Sequence, residues 1–330
     1  MNKDLKVLAI DLLNKRTYEQ YTEQEMRDSF RKQVNNLVCD TEGKITYHSW
    51  NRGKLEVFEL MATMIEEILP KKVYDVLGKF ADIKTYGNGD KPRFTLKKGR
   101  QNVKRFVTKV AAAGVYERVR LDRDYLDVET YAHGGAIYQT IEAFLAGRED
   151  ITEVLDIMLE GLEESIYADI TTALEGTVSE LPAANSKIGA YDAGEFNKIL
   201  ATVRAYGQPV IFCTQVFAAN LVPETGFVGD ADKADMRNQG YIGRYMGADI
   251  VILPQSFKDA NNEETVINDN ICYIMPGGAN AEKPVKVAFE GETLVRSLER
   301  EDWSMEMQLY KKIGVAITNT NHYGMYSIPS

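Results

Sequence analysis

EDITEVLDIMLEGLEESIYADITTALE, running from Glu149 to Glu175, is the longest unbroken helical periodicity in this chain of 330 residues. Ile151, Val154, Leu155, Met158, Leu162, Ile166, Ile170 and Leu174 recur at three- and four-residue steps, so they share one helix face. Asp150 or Thr152 can cap the start, and Gly176 stands where a helix usually ends. At 1.5 Å per residue the helix is about 40 Å long. The interior Gly161 costs about 1 kcal/mol, which apolar burial of roughly 1.5–3 kcal/mol per large side chain outweighs. The other face carries Glu149, Asp150, Glu153, Asp156, Glu160, Glu163, Glu164, Asp169 and Glu175, with no Lys or Arg. One side is expected to pack and the other to present a charge of −9.

The opposite charge lies upstream. Between Lys84 and Arg123, twelve basic residues face only Asp90, Glu117 and Asp122, a net +9 in a chain whose total is −10. Such asymmetry within one chain points to a partner, and a second copy of the same chain fits it. The residues expected to meet a neighbour are Lys91, Arg93, Lys97, Lys98, Arg100, Lys104, Arg105, Lys109, Arg118 and Arg120 on the basic side. Glu149, Asp150, Glu153, Asp156, Glu160, Glu163, Glu164 and Asp169 form the acidic side. Tyr86, Phe94, Phe106 and Tyr116 interleave with the positive charge, so a nucleic acid bound by segment 84–123 is the rival partner. An acidic chain with a matching negative helix argues against it.

Composition is that of a globular protein, 44% hydrophobic and 27% charged, with no apolar run of about 18 residues to span a membrane. The first residues read as an amphipathic helix, interrupted by Asp4, Lys6 and Asp11, rather than a signal peptide. Cys39, Cys213 and Cys272 are far apart in sequence, each beside apolar residues, and read as buried thiols of a reducing compartment rather than disulfides or metal ligands. No dinucleotide or phosphate loop, HExxH, nucleophile elbow or CxxC occurs. His48, His133 and His322 are isolated, and Asp259, Glu263 and Glu264 read as a loop rather than a metal site. No catalytic residue, cofactor or metal is expected.

Along the chain, residues 1–79 read as helical segments, the third stopped by Pro70 and separated from the others by CDTEGK and SWNRGK. Residues 84–141 read as a solvent-facing β-hairpin with a helical piece at QNVKRFVTKVAAA and a turn or bulge at His133-Gly134-Gly135. A two-stranded ribbon is marginal alone and must rest on something. Beyond Gly176, PVIFCT, ADIVILP, ICYIMP and VKVAFEG read as buried strands of an α/β module. The tail LYKKIGVAITNTNHYGMYSI reads as strand, Asn-rich turn, strand.

This order of parts resembles the major capsid proteins of tailed bacteriophages, with the Hong Kong 97 (HK97-like) fold. GAIYQTIEAFLAGREDITEVLDIMLEGLEESIYADI looks like the passage from extended loop into spine helix. YGQPVIFCTQVFAANL, YMGADIVILPQSF and KKIGVAITNTNHYGMYSI look like axial and closing peripheral strands. The resemblance implies an α+β fold: an N-terminal arm over 1–79, an extended loop over 80–140 and a peripheral domain over 141–180 built on spine helix 149–175. An axial domain over 181–290 and peripheral return strands over 291–330 complete it. It also implies a virion protein assembled in the host bacterial cytoplasm into an icosahedral shell of pentamers and hexamers. Such a shell works with a separate scaffolding protein and a portal and encloses double-stranded DNA without sequence-specific binding. The same fold leaves an encapsulin-like compartment around a cargo enzyme as the alternative.

Overall fold

A computed structural model of the chain describes residues 8, 23–40, 42, 44–79, 81–96, 124–140, 151–221, 236–238, 240–253, 255, 257, 261, 263, 265–278, 281–299, 304–318 and 320–329. Helices α1 (Glu23–Val38) and α2 (Tyr47–Leu77) come first. Strands β1 (Ala81–Tyr86), β2 (Arg93–Leu96), β3 (Asp124–Asp127) and β4 (Tyr131–Thr140) lead to the spine helix α3 (Ile151–Gly176). Then come β5 (Ser186–Ile188), α4 (Ala193–Arg204), β6 (Gln208–Cys213), α5 (Gln215–Ala218), β7 (Arg244–Tyr245), β8 (Ala248–Ile252) and β9 (Ile271–Gly277). Strands β10 (Val285–Glu299), β11 (Ser304–Ile317) and β12 (Gly324–Ser327) close the chain.

The spine helix buries the face that its spacing predicts: Val154, Met158, Leu162, Ile166, Ile170 and Leu174 are all at most 5% exposed. It is not the longest helix, however. Helix α2 runs for 31 residues, straight through Pro70, where the sequence reading stops it. Proline in a helix interior costs about 3 kcal/mol through its missing N–H and a clash with the preceding turn. Ile68, Leu69, Val73 and Leu77 lie on either side of it and are buried. At roughly 1.5–3 kcal/mol for each large side chain, their burial outweighs the proline.

The SWNRGK segment, expected as a break, also lies inside α2, and Trp50 is buried. Thr46 caps the helix: its hydroxyl accepts the Ser49 N–H at 3.2 Å, and the Ser49 hydroxyl accepts the Thr46 N–H at 2.9 Å. Gly53 makes the crossing with α1 possible, because a Cβ there would stand 2.3 Å from the Leu37 carbonyl oxygen. Gly53→Ala gains about 1 kcal/mol of helix propensity. It is nonetheless expected to lower stability by about 1–3 kcal/mol, read as a lower denaturant midpoint.

Four strands in the order β1-β10-β11-β4 form one sheet, with α2 and α3 packed across one of its faces. Six strands in the order β5-β12-β9-β6-β8-β7 form the other, and β2 and β3 pair as a ribbon. Phe30, Val34 and Val38 of α1, most of α2's apolar face and that of α3 share a single core with Val287, Phe289, Leu309 and Ile313. The described part of residues 1–79 is therefore body, not a free arm. Leu181, Phe212, Tyr273 and Tyr323 extend this core to the six-stranded sheet, whose other face packs on α4 and α5.

Sheet membership corrects the expected boundaries. VKVAFEG, assigned by its apolar run to the 181–290 module, begins β10 and pairs in parallel with β1, Ala81 opposite Val285. The tail strands are not a hairpin: β11 lies between β10 and β4, whereas β12 crosses to pair with β9 and β5. The last strand of the 291–330 segment thus completes the six-stranded sheet. His133, Gly134 and Gly135, expected as a turn or bulge, lie within β4 in regular ladder pairing to Lys311, Tyr310 and Leu309. Among the described residues, no helix is long and apolar enough to cross a membrane. Cys213 and Cys272 are buried free thiols, and Cys39 is half-buried.

Candidate assembly surfaces

Strands β2 and β3 pair antiparallel, Arg93 opposite Asp127 and Phe94 opposite Leu126. They form the base of the expected hairpin. Arg93 grips Asp127 with two bonds, 2.6 Å from Nε and 3.0 Å from Nη2. That guanidinium holds the Asp127 carboxyl below its usual range. It also lies 5.5 Å from the Tyr125 ring centre. Arg93 is thus occupied within its own chain, while Lys91 is exposed. Lys97, Lys98, Arg100, Lys104, Arg105, Lys109, Arg118 and Arg120, with the helical piece expected at QNVKRFVTKVAAA, lie outside the described residues.

Phe94 anchors this base. It is fully buried against Val128 and Ala288, with Tyr86 edge-on at 6.1 Å between ring centres. The Lys84 and Lys286 ammoniums lie 4.8 and 5.8 Å from its ring centre. Lys286 is 3% exposed because the hairpin base covers it, and Asp82 compensates it at 3.3 Å. On the return, Glu129 crosses β11 at Gly314, where a Cβ would stand 2.4 Å from the Glu129 carbonyl oxygen.

Glu290 ties the return to the sheet. It accepts from the Thr130 hydroxyl and pairs with the Lys312 ammonium at 3.3 Å. These two groups hold its carboxyl below the usual glutamate range. Its folded pKa is depressed, so its contribution is complete above the ordinary value, about 4.3, and is lost as pH falls through the lower folded value. Amide protection at residues 128–130, corrected for the intrinsic exchange rate, is expected to fall as the pH drops below the ordinary carboxylate value, and Glu290→Gln is expected to flatten that dependence. The neighbouring Lys311 is 2% exposed, donates to the Gly291 carbonyl at 2.6 Å and lies 3.8 Å from Glu66. Burial pushes its pKa down.

The acidic helix face divides in two. Glu163 accepts from the Tyr167 hydroxyl at 3.0 Å and lies 4.0 Å from Lys72 of α2. Asp169 lies 3.2 Å from His133 Nε2, whose Nδ1 is 2.8 Å from the Ser165 hydroxyl. This trio has the residue types of a nucleophile relay. Ser165 sits in mid-helix, however, where the helix's own backbone N–H groups are already bonded to the preceding turn. Its evident role is to clamp β4 onto the spine helix. Asp156 is half-buried and engaged within the chain. Glu160 and Glu164, one turn apart, remain exposed beside Ile157, which is 52% exposed. Glu149 and Asp150 lie outside the described residues, as does the side chain of Glu153.

A further surface carries no sequence signal. Among the described residues, no element covers the face of the four-stranded sheet away from the helices near β4, where Gly134 and Ala136 stand beside a row of larger residues. Leu294, Arg296, Gln308 and Tyr310 help line a groove of about 520 Å³ there. Tyr138, Leu294 and Leu298 are exposed on the same face. Spacing alone gave no warning, because β4 and β11 alternate like any half-buried pair. Among the described residues no group of acidic, His or Cys side chains could hold a metal; Asp259 and Glu264 lie outside them.

The model of a family described as "SPbeta prophage-derived putative capsid protein YonB" matches residues 4–327. No curated protein matches the sequence. Among solved structures, one from Microbacterium phage Oxtober96 superposes with a TM-score of 0.52 at 10% identity, covering 77% of this chain and 90% of that one. The capsid of an empty GTA particle gives 0.51 at 12% identity, with coverage of 77% and 90%. Mycobacterium phage Adephagia gives 0.50 at 11%, again with 77% and 90%.

Proposed function

Because the chain belongs to the YonB family of prophage-derived capsid proteins, it is a phage shell subunit, and we propose that neighbours in the shell are joined by the basic hairpin of one copy laid over the acidic helix of the next. The observation that carries this reading is charge separation within one chain. The segment between β2 and β3 holds nine basic and two acidic residues, and the exposed Glu160 and Glu164 stand on a rigid helix elsewhere. Complementary charge of this kind gives register and on-rate. Exposed pairs are worth only about 0–1 kcal/mol each, so cohesion must come from buried apolar area. The uncovered sheet face with Tyr138, Leu294 and Leu298 is available for that.

In this reading the four-stranded sheet with its two long helices is the peripheral part of the subunit. The six-stranded sheet is the axial part, gathered around five- and six-fold axes. The shell encloses double-stranded DNA, with a separate scaffolding protein and a portal, and is put together in the host cytoplasm. An acidic protein does not condense DNA by itself, which suits a container filled by a motor. The family favours such a shell over a compartment for a cargo enzyme.

Assembly of the purified chain, followed by light scattering, is expected to slow several-fold between about 50 and about 500 mM salt as screening shortens the reach of these charges. Kinetics independent of salt over that range would remove the hairpin–helix pairing.

A further inference from the structure

Cys213 and Cys272 are 59 positions apart in the sequence yet face each other in the folded chain. Strands β6 and β9 run antiparallel with Ile211 opposite Ile274 and Phe212 opposite Tyr273. The next pair in that register is Cys213 opposite Cys272, and both strands still include those residues. Both side chains point to the same side of the sheet, into the cluster shared with α4 and α5, at 1% and 0% exposure. Directly opposed residues of an antiparallel pair have Cα atoms about 4.5–5.5 Å apart, inside the roughly 4.4–6.8 Å window that a disulfide needs.

We propose that Cys213 and Cys272 are a latent disulfide, thiols as the chain folds and joined when the protein meets a peroxide. In the first step the thiolate of one cysteine attacks a peroxide oxygen, the O–O bond breaks, and a sulfenic acid and one water form. The second thiol then attacks that sulfur, the S–O bond breaks and a second water leaves. Two thiols are oxidised by two electrons and one hydrogen peroxide is reduced to two waters.

Burial pushes the Cys272 thiol pKa up, with the Cys213 thiol beside it, so little thiolate is present and the reaction is slow. A reducing cell therefore keeps the pair open, and a lasting oxidising environment closes it. The bond would cross the central seam of the six-stranded sheet, joining β5-β12-β9 to β6-β8-β7. It would close a loop of about 60 residues, long enough to restrict the unfolded chain substantially. Cys39 sits apart, beside the bridge to Ile45, and serves as an internal control.

The test uses the full-length chain, whether or not it has assembled, so it stands apart from the shell reading. The protein is incubated with hydrogen peroxide, unfolded, alkylated and mapped by mass spectrometry with and without reductant. The expected result is one cross-linked peptide pair, Cys213 with Cys272, and a thermal midpoint raised by several degrees that dithiothreitol restores. Cys213→Ser and Cys272→Ser are each expected to abolish both changes, and Cys39→Ser to leave them intact. Alkylation of both residues after prolonged oxidation, or separate oxidation of each to a sulfinic acid, would overturn the proposal. Should one serine variant fold poorly, the peptide map of the wild-type chain decides alone.

Discussion

Phe94→Ala is expected to prevent closed shells while leaving the body of the subunit folded. Phe94 holds the hairpin base in a small cluster of its own, with Val128 and Ala288, apart from the main core. Truncating a buried phenylalanine costs about 3–5 kcal/mol. A two-stranded ribbon has little stability to spare, so a loss of that size detaches it. The variant also uncovers Lys286, whose ammonium then meets water and no longer depends on Asp82 at 3.3 Å. The body should keep its cooperative unfolding. Amide exchange should rise at 93–96 and 124–128, and sedimentation should show small species in place of particles. Phe94→Leu, which keeps most of the apolar volume, should restore assembly in large part. Wild-type particle yield from Phe94→Ala would mean that the direction of the hairpin does not matter.

The second large effect concerns the other partner in the contact. Glu160→Lys with Glu164→Lys reverses two exposed carboxylates one turn apart on the spine helix without touching its buried face. Lysine and glutamate have similar helix propensity, so the isolated subunit should unfold as the wild type does. Like charges forced together at an interface cost several kcal/mol, enough to reduce assembly by orders of magnitude at low salt. High salt should partly rescue it. Glu163 and Asp169 are unsuitable for this test. Tyr167, Lys72 and His133 engage them within the chain, so reversing them would disturb the fold as well.

The spine helix was legible because one of its faces repeats every three to four positions, and from Val154 to Leu174 that face is the buried one. Partners of strands were not legible. Val285 to Glu290 are buried on both faces, one by the helices and the other by the hairpin base over Lys286. A short, largely apolar segment of that kind looks the same as a strand inside an α/β sheet, so its pairing with β1, some 200 positions away, was missed. Pro70 misled for a related reason. Local propensity stops a helix there, but Val73 and Leu77 lie on the face already facing the core.

The acidic face illustrates a third limit. Nine carboxylates look alike in sequence, yet only spatial neighbours distinguish Asp169, clamped to His133, from Glu160 and Glu164, which face outward. The buried charges Lys286, Glu290 and Lys311 gave no signal either, because at alternating positions a lysine reads as solvent-facing.

Electron cryomicroscopy of particles formed by the expressed chain, with its scaffolding protein if one is needed, tests the central claim most directly. The expected map shows the hairpin that rises from Arg93–Leu96 and Asp124–Asp127 crossing onto an adjacent subunit, with its basic side chains near Glu160 and Glu164. A map in which that hairpin folds back onto its own subunit, or a chain that stays monomeric at every concentration tried, would contradict it.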